Sequence, residues 1–404
     1  MTQRRTNKNS MMQIVACLLL LVVSTFTSCT RKDLFLRIDQ SEIRININDI
    51  SLDMLWGNDW RAGLLYNWDD QVHGRLGYTE PEWIRATIYD LNSSTFSRTG
   101  SFNRNFTKAG GRVSLTAGQW YDMLFYNADT EYIIFGQNDL NSDYMATTRS
   151  TSHNVYTRAS EEDADMPSRY YSDYNQPDEL FGSFIDDMQI SEDPDHYEHI
   201  IDSLGNVVSV FNIETTLKPY TFIYLLQVVI VNNNDDKGAR VLGGKGLTLT
   251  GMAQGVELFS RRTHPEAVSV TTEDVKPTQS FKNLELPNGT TADCEIFASR
   301  IVSWGLPDVA PLQERTKGST EVKEENHIGV GLVTRSGYVY NYTADITEQM
   351  HQRPTGGVIT IIVDASEIDD KYIDKPQGGG NNNGGGFNAS VENWGNEYNA
   401  SVTI

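Results

Sequence analysis

The sequence predicts an all-β protein of two tandem β-sandwiches, and three observations lead there. Short runs rich in β-branched and aromatic residues recur along the chain, clusters of Gly, Asn, Asp and Pro separate them, and almost no segment sustains a 3.6-residue apolar period. Sandwiches are the default architecture for that pattern, since each strand needs a second layer against which to bury its apolar face.

Taken in order, the first-half strands are predicted at residues 43–50, 83–89, 111–115, 120–126, 132–135 and 180–188. Trp83, Tyr89, Leu124 and Tyr126 are expected in their core. Residues 141–178 are polar and carry the acids Glu161, Glu162, Asp163 and Asp165, which suggests an exposed excursion. A break falls near residues 215–219. Residues 220–231 are then apolar on both alternating faces, as befits a central strand covered on both sides, with Tyr224, Leu226, Val228 and Ile230 in a second core. Further strands are predicted at 246–249, 256–259, 267–271, 294–302, 328–334, 338–346 and 357–364, with one short helix over 345–352. The division that results is 43–217 for the first sandwich and 218–374 for the second. Residues 375–386, including GGGNNNGGG, form a flexible linker. Beyond it, residues 387–404 read as a strand or hairpin, with Tyr398, Ala400, Val402 and Ile404 alternating onto one face of a strand that could be donated elsewhere.

The amino terminus has a different character. Arg4, Arg5 and Lys8 precede an apolar run over 14–23, which is signal-sequence length and too short to span a bilayer. Phe26-Thr27-Ser28-Cys29 has the form of a lipobox, so residues 1–28 are expected to be a signal peptide, Cys29 the lipidated residue, and 29–42 a tether. At about 0.8 kcal/mol per buried CH2, several acyl chains on one cysteine hold a protein at a membrane permanently. Cleavage and lipidation would leave Cys294 without a disulfide partner, and stability must come from buried core. Loss of residues 1–28 takes the formal charge from −21 to −24. Such acidity argues against nucleic acid as a partner.

Chemistry-bearing motifs are sparse, and no catalytic or cofactor-binding constellation stands out. GGKG at 243–246 lacks phosphate-loop spacing and is expected to be a hairpin turn. His196 and His199 lie in an acidic, proline-containing stretch that reads as solvated surface. Asp186-Asp187 and Asp235-Asp236 are adjacent carboxylates, which diverge on a strand unless a turn separates them. Trp56, Trp60 and Trp68, with Tyr66, place three indoles within thirteen positions. They are candidates for stacking on sugar rings, and the rival reading is core packing.

Residues 118–135, GQWYDMLFYNADTEYIIF, are the most distinctive run. Together with TEPEWIRATIYD (79–90), TTR (147–149), LTGMAQGVEL (249–258) and YNYTADITEQM (340–350), they resemble a Bacteroides-type lipoprotein family of unknown function. That family is similar to the minor fimbrial anchor subunits of type V pili. The resemblance implies two transthyretin-like sandwiches in tandem, a lipid-anchored base at the outer membrane facing the cell surface, fimbrial subunits as partners and no enzymatic activity. Subunits of that kind assemble by donating a strand into a neighbour's groove. Shaft subunits are trimmed after an Arg or Lys near an early strand, for which Arg44 and Arg61 are the candidates here, whereas an anchor keeps its first strand. The alternative is a glycan-binding surface lipoprotein serving nutrient uptake.

Overall fold

The structure is a computed structural model, and it describes residues 40–47, 50–151, 173–201, 203–233, 240–308 and 325–368. Cys29, the linker and the candidate donor residues Tyr398, Ala400, Val402 and Ile404 lie outside the described residues, as do Asp235-Asp236. The chain is all-β with sheets packed as sandwiches.

The first sheet joins β1 (Gln40–Ile47), β2 (Trp83–Leu91), β3 (Arg98–Thr107), β4 (Gly111–Val113), β5 (Trp120–Asn127), β9 (Phe181–Gln189), β10 (Glu198–Ile201) and β11 (Val207–Pro219). Its order is β3-β2-β5-β9-β11-β1-β4, with β10 also on β11. The long β11 connects two layers: its body lies beside β1 and β10, and its end, Lys218–Pro219, pairs with β9. Between the layers lie Ile43 and Ile45 of β1, Ile84, Ala86 and Ile88 of β2, Met123 and Phe125 of β5, and Ile213 and Leu217 of β11.

The second sheet joins β8 (Asp173–Asn175), β12 (Phe222–Val231), β13 (Val241–Ala253), β15 (Ala267–Glu285), β16 (Thr291–Ser303), β17 (His327–Thr334), β18 (Val339–Asp345) and β19 (Gly357–Asp364). Its order is β18-β17-β13-β15-β16-β12-β19, with β8 on β15. Here β15 makes the crossing, pairing first with β13 and then with β16. A third small sheet, β14-β7-β6, combines β6 (Ile133–Gln137) and β7 (Tyr144–Thr148) with β14 (Gly255–Glu257) from the second half. Helices are short: α1 (Leu52–Trp56), α2 (Asp70–His73) and α3 (Thr347–Gln352). Among the described residues none is long and apolar enough to cross a membrane.

Alternation along β12 explains how the halves hold together. Phe222, Tyr224, Leu226, Val228 and Ile230 enter the second core with Leu247, Leu249, Phe297, Val330 and Ile359. The opposite face sends Ile223 and Leu225 into the first core, and Val229 into a cluster with Tyr66, Ile296 and Ala298. The sequence reading of a strand covered on both sides holds, as does the short helix, which appears as α3.

Several expectations are corrected. Tyr89, Leu124 and Tyr126 are buried on the outer face of β2 and β5, not in the sandwich core, because alternation turns them away from Ile84, Ala86 and Ile88. There they pack with Ile133, Ala146, Leu258 and Trp304. Trp83, at the start of β2, is 51 % exposed. GGKG is no hairpin turn: it lies within β13, where register shifts flank it and Gly246 takes a φ of 63°. The expected excursion over 141–178 contains two strands, β7 and β8, that pair across to the second half. Strand β3, RTGSFNRNFT, is too polar to be legible, since it lies at a sheet edge with mostly exposed side chains.

Leu226→Ala should cost about 2–5 kcal/mol in a denaturant melt, because the side chain is fully buried and β12 is held between two neighbours. A loss below about 1 kcal/mol, as expected of a surface site, would contradict the packing.

Candidate functional site

Residues 52–78 wrap the outer face of the β16-β12-β19 layer, and the aromatic candidates sit in that wrap. Ser51 caps α1 by accepting a hydrogen bond from Met54 N. Trp60 is buried and donates from its indole N–H to Asp53, while its ring meets Trp56 edge-on at 5.7 Å. Trp56 donates to the Thr355 carbonyl at 3.0 Å. Gly356 lets it approach: with φ of 92°, a Cβ there would lie 2.3 Å from the Ile223 carbonyl oxygen and 2.9 Å from the Trp56 indole nitrogen. Tyr66 is buried, and burial pushes its phenol far above the usual range. Trp68, half-buried, donates to the Gly74 carbonyl and packs on Tyr66 and on His73, whose imidazolium burial disfavours.

Gln227 pins this wrap to the strand beneath it. Its Oε1 accepts from Leu65 N at 2.8 Å, and its Nε2 donates to the Gly63 carbonyl at 2.8 Å and to Thr360 Oγ1 at 2.9 Å. A side-chain amide here performs the pairing of a peptide group, which is how a polar residue survives on a doubly buried strand. The four aromatic candidates therefore come together, but as a clasp between the two halves, with Trp60 and Tyr66 facing inward.

Strand β1 is the second assembly. It runs parallel to β11 from Gln40 opposite Val210 to Ile47 opposite Leu217, and β4 covers its other side only at Ser41–Ile43. Ile43 is fully buried. Gly110, with φ of 79°, admits the Ile43 carbonyl at a distance no Cβ would tolerate. Arg44 lies in mid-strand, its side chain on Glu42 and Glu198, and Arg61 is exposed in a helical turn over Trp60–Gly63.

Sheet edges are managed unevenly. The outer edge of β19 is capped by Gln349 of α3, which donates to the Thr360 carbonyl and accepts from Thr360 N, both at 2.9 Å. That amide occupies the place an added strand would take. Strand β3 is an edge with exposed Asn103, Arg104 and Asn105.

Among the described residues one group of carboxylates gathers closely, with oxygens of Asp122, Asp186 and Asp187 within 4.8 Å of one another. Adjacent acids on a regular strand would diverge. A bulge supplies the turn, with Asp187 at a φ of 48° and its N–H donating to Asp122. Arg98 already supplies a cation, donating to Asp122 at 2.7 Å while its guanidinium lies 3.8 Å from the centre of the Phe259 ring. Burial, and then Asp122 and Asp187, push the Asp186 carboxyl up. This is an ion-pair node that ties β3 and β5 to the second half through Phe259. His196 and His199 bond separately to Ser191 and Ser209 at the surface and do not converge. A cleft of about 340 Å³ between the halves is lined by His73, Arg75, Lys276 and the Arg300–Glu179 ion pair.

Comparison with known families matches residues 74–273 to a domain of unknown function, DUF5119. No curated protein matches the chain. Among solved structures, the chain is similar to a candidate adhesin of Bacteroides ovatus, at 14 % identity and a TM-score of 0.46 over 83 % of this chain and 96 % of that one. It is also similar to a candidate adhesin of Bacteroides thetaiotaomicron, at 10 % identity and 0.36 over 81 % and 92 %. The fimbrial anchor protein Mfa2 of Porphyromonas gingivalis is similar at 8 % identity and 0.35 over 80 % and 90 %.

Two outcomes follow from this geometry. Gln227→Leu should cost about 1–3 kcal/mol, since it orphans the Leu65 N–H and the Gly63 carbonyl; urea unfolding measures it, and an unchanged midpoint would refute the clasp. The second concerns Asp173, whose buried carboxylate has no hydrogen-bond partner among the described residues and which burial pushes up to about 6 from 3.8. The native state then holds this proton over a range in which the unfolded chain has released it, so stability falls as pH rises from about 4 to about 6 and levels above. Asp173→Asn should show a gain in melting temperature over wild type that grows across that window, and a pH-independent difference would exclude the assignment.

Proposed function

We propose that this chain, which carries a DUF5119 domain over residues 74–273, is a lipid-anchored structural component of a cell-surface fimbria that anchors or assembles the pilus by strand pairing. The observation that carries the reading is β1. It is built into the first sandwich, with Ile43 and Ile45 in the core and eight consecutive partners on β11. A subunit whose groove is filled by its own first strand has no vacancy there for a neighbour's strand. It joins a polymer by offering a strand, and residues 387–404 are suited to be that strand. The tether of 375–386 allows reach of roughly 5–6 Å times the square root of its length, and Tyr398, Ala400, Val402 and Ile404 alternate. Upstream of β1, which begins at Gln40 rather than after residue 42 as the expected tether of 29–42 had it, the chain leads back to Cys29, the proposed site of lipid attachment to the outer membrane. The two-sandwich division at 217/218 is part of this proposal. Glycan binding through Trp56, Trp60, Trp68 and Tyr66 is the less supported alternative, because their indole N–H groups and ring faces are engaged in the clasp.

The test is membrane fractionation and partner capture with the tagged full-length protein in its native membrane. Cys29→Ala should lose the acyl groups by mass spectrometry and leave the membrane at alkaline pH. Deletion of 387–404 should leave stability nearly unchanged and abolish capture of a fimbrial subunit. Unfolding of the second half on truncation, with no capture by the intact protein, would sink the strand-donor reading.

A further inference from the structure

We propose that a second cleft, at the end of the first sheet where β2 and β9 begin and β5 ends, binds a neutral saccharide on the face of Tyr132. This adds a ligand to the structural role and does not rest on it. The loops that precede β2, follow β5 and precede β9 meet there over β16, and Thr79, Pro81, Asp129, Tyr132, Gln176 and Arg300 line a cavity of about 360 Å³. That volume belongs to small-molecule sites, which run from roughly 300 to 1,000 Å³. Tyr132 is 50 % exposed, and its ring meets no other aromatic ring among the described residues. In the clasp the indole N–H groups and ring faces are occupied by the protein itself. Here a ring is left open.

The polar groups beside that ring are held by the backbone before any ligand arrives. Asp129 accepts from Glu82 N at 2.8 Å and from Asn127 Nδ2 at 3.0 Å, and Asp178 Oδ2 accepts from Glu131 N at 2.7 Å and from Tyr132 N at 2.6 Å. Gln176 Oε1 accepts from Val302 N at 3.2 Å. Arg300 donates through Nη2 to Glu179 and, at 3.5 Å, to the Gly77 carbonyl. Asp178 Oδ1, Gln176 Nε2 and Arg300 Nη1 have no partner among the described residues, which leaves one acceptor and two donors around the open ring. Planar carboxylate, amide and guanidinium groups match the donors and acceptors of neighbouring sugar hydroxyls, while the ring takes the apolar C–H face of a pyranose.

Charge selects the kind of sugar. Arg300 is bound to Glu179 and Glu80 to Lys108, so Asp129 and Asp178 stand in the cleft with no cation paired to them among the described residues. A uronic acid would set its carboxylate against theirs, whereas a neutral sugar offers them hydroxyl donors. The cleft also continues past the ion pair. Thr79, Gln176, Glu179 and Arg300 line the adjoining cavity of about 340 Å³ as well, which gives room for a second sugar residue.

The test uses the full-length protein, calorimetric titration with methyl glucoside, methyl galactoside, lactose and cellobiose, and saturation-transfer NMR on each sugar that binds. We expect at least one disaccharide to bind, with its ring C–H protons receiving the strongest saturation. Tyr132→Ala and Gln176→Glu should each weaken it roughly tenfold at unchanged melting temperature. Both variants spare the scaffold: Tyr132 meets Asp178 through its main-chain N–H, and Gln176→Glu retains an acceptor for Val302 N. No binding by any of the four sugars would overturn the proposal, as would unchanged affinity in either variant. Binding lost in Trp68→Ala and kept in Tyr132→Ala would place the sugar on the aromatic clasp instead. Glucuronate binding as tightly as methyl glucoside, or glucosamine binding where methyl glucoside does not, would show that the cleft reads charge and would also defeat the proposal.

Discussion

The double burial of β12 is the constraint on which the rest of the structure depends. One strand supplies the apolar face of the second core and, through Ile223 and Leu225, part of the wall of the first. Neither core closes without it. Because a strand turns alternate residues to opposite sides, ten residues suffice to join two sandwiches, provided that both faces are apolar and that something covers the outer one. The cover is the wrap over residues 52–78, and Gln227 is the polar pin that sets its position.

The same logic extends to the small third sheet. Strands β6 and β7 belong to the first half by sequence, yet β7 pairs with β14 from the second, over the outer faces of Tyr89, Leu124 and Tyr126. Two long crossing strands, two shared clusters and the Arg98 node join the halves. The sheet edges differ in how they are covered. Gln349 closes β19 with a side-chain amide and β1 fills the place between β11 and β4, whereas β3 remains an edge of the first sheet.

Legibility in the sequence followed burial. Strands with one or two apolar faces, such as β2, β5, β12, β16 and β19, announce themselves, and so does α3. Strand β3 and the short β7, β8 and β10 do not: they lie at edges or in small sheets, where backbone pairing decides and side-chain pattern carries little information. Glycines misled for a related reason. GGKG has turn composition, but inside β13 its glycines allow bulges and a close approach to Val275, a need that arises only from the neighbouring strand. The aromatic cluster was legible as a cluster, with core packing kept as the rival to sugar stacking; its partners, Thr355 and the face of β12, lie far away in the chain.

What the sequence by itself determined is the all-β class, the central strand and the apolar alternation that places its residues, since these depend on local period and composition alone. What only the tertiary structure decided is which face each apolar residue serves, that Trp83 stays exposed, and that three indoles form a clasp. Each of these depends on pairing between segments far apart in the chain, and the register of such pairing is set by whichever arrangement buries every apolar face at once. No local window of sequence contains that condition.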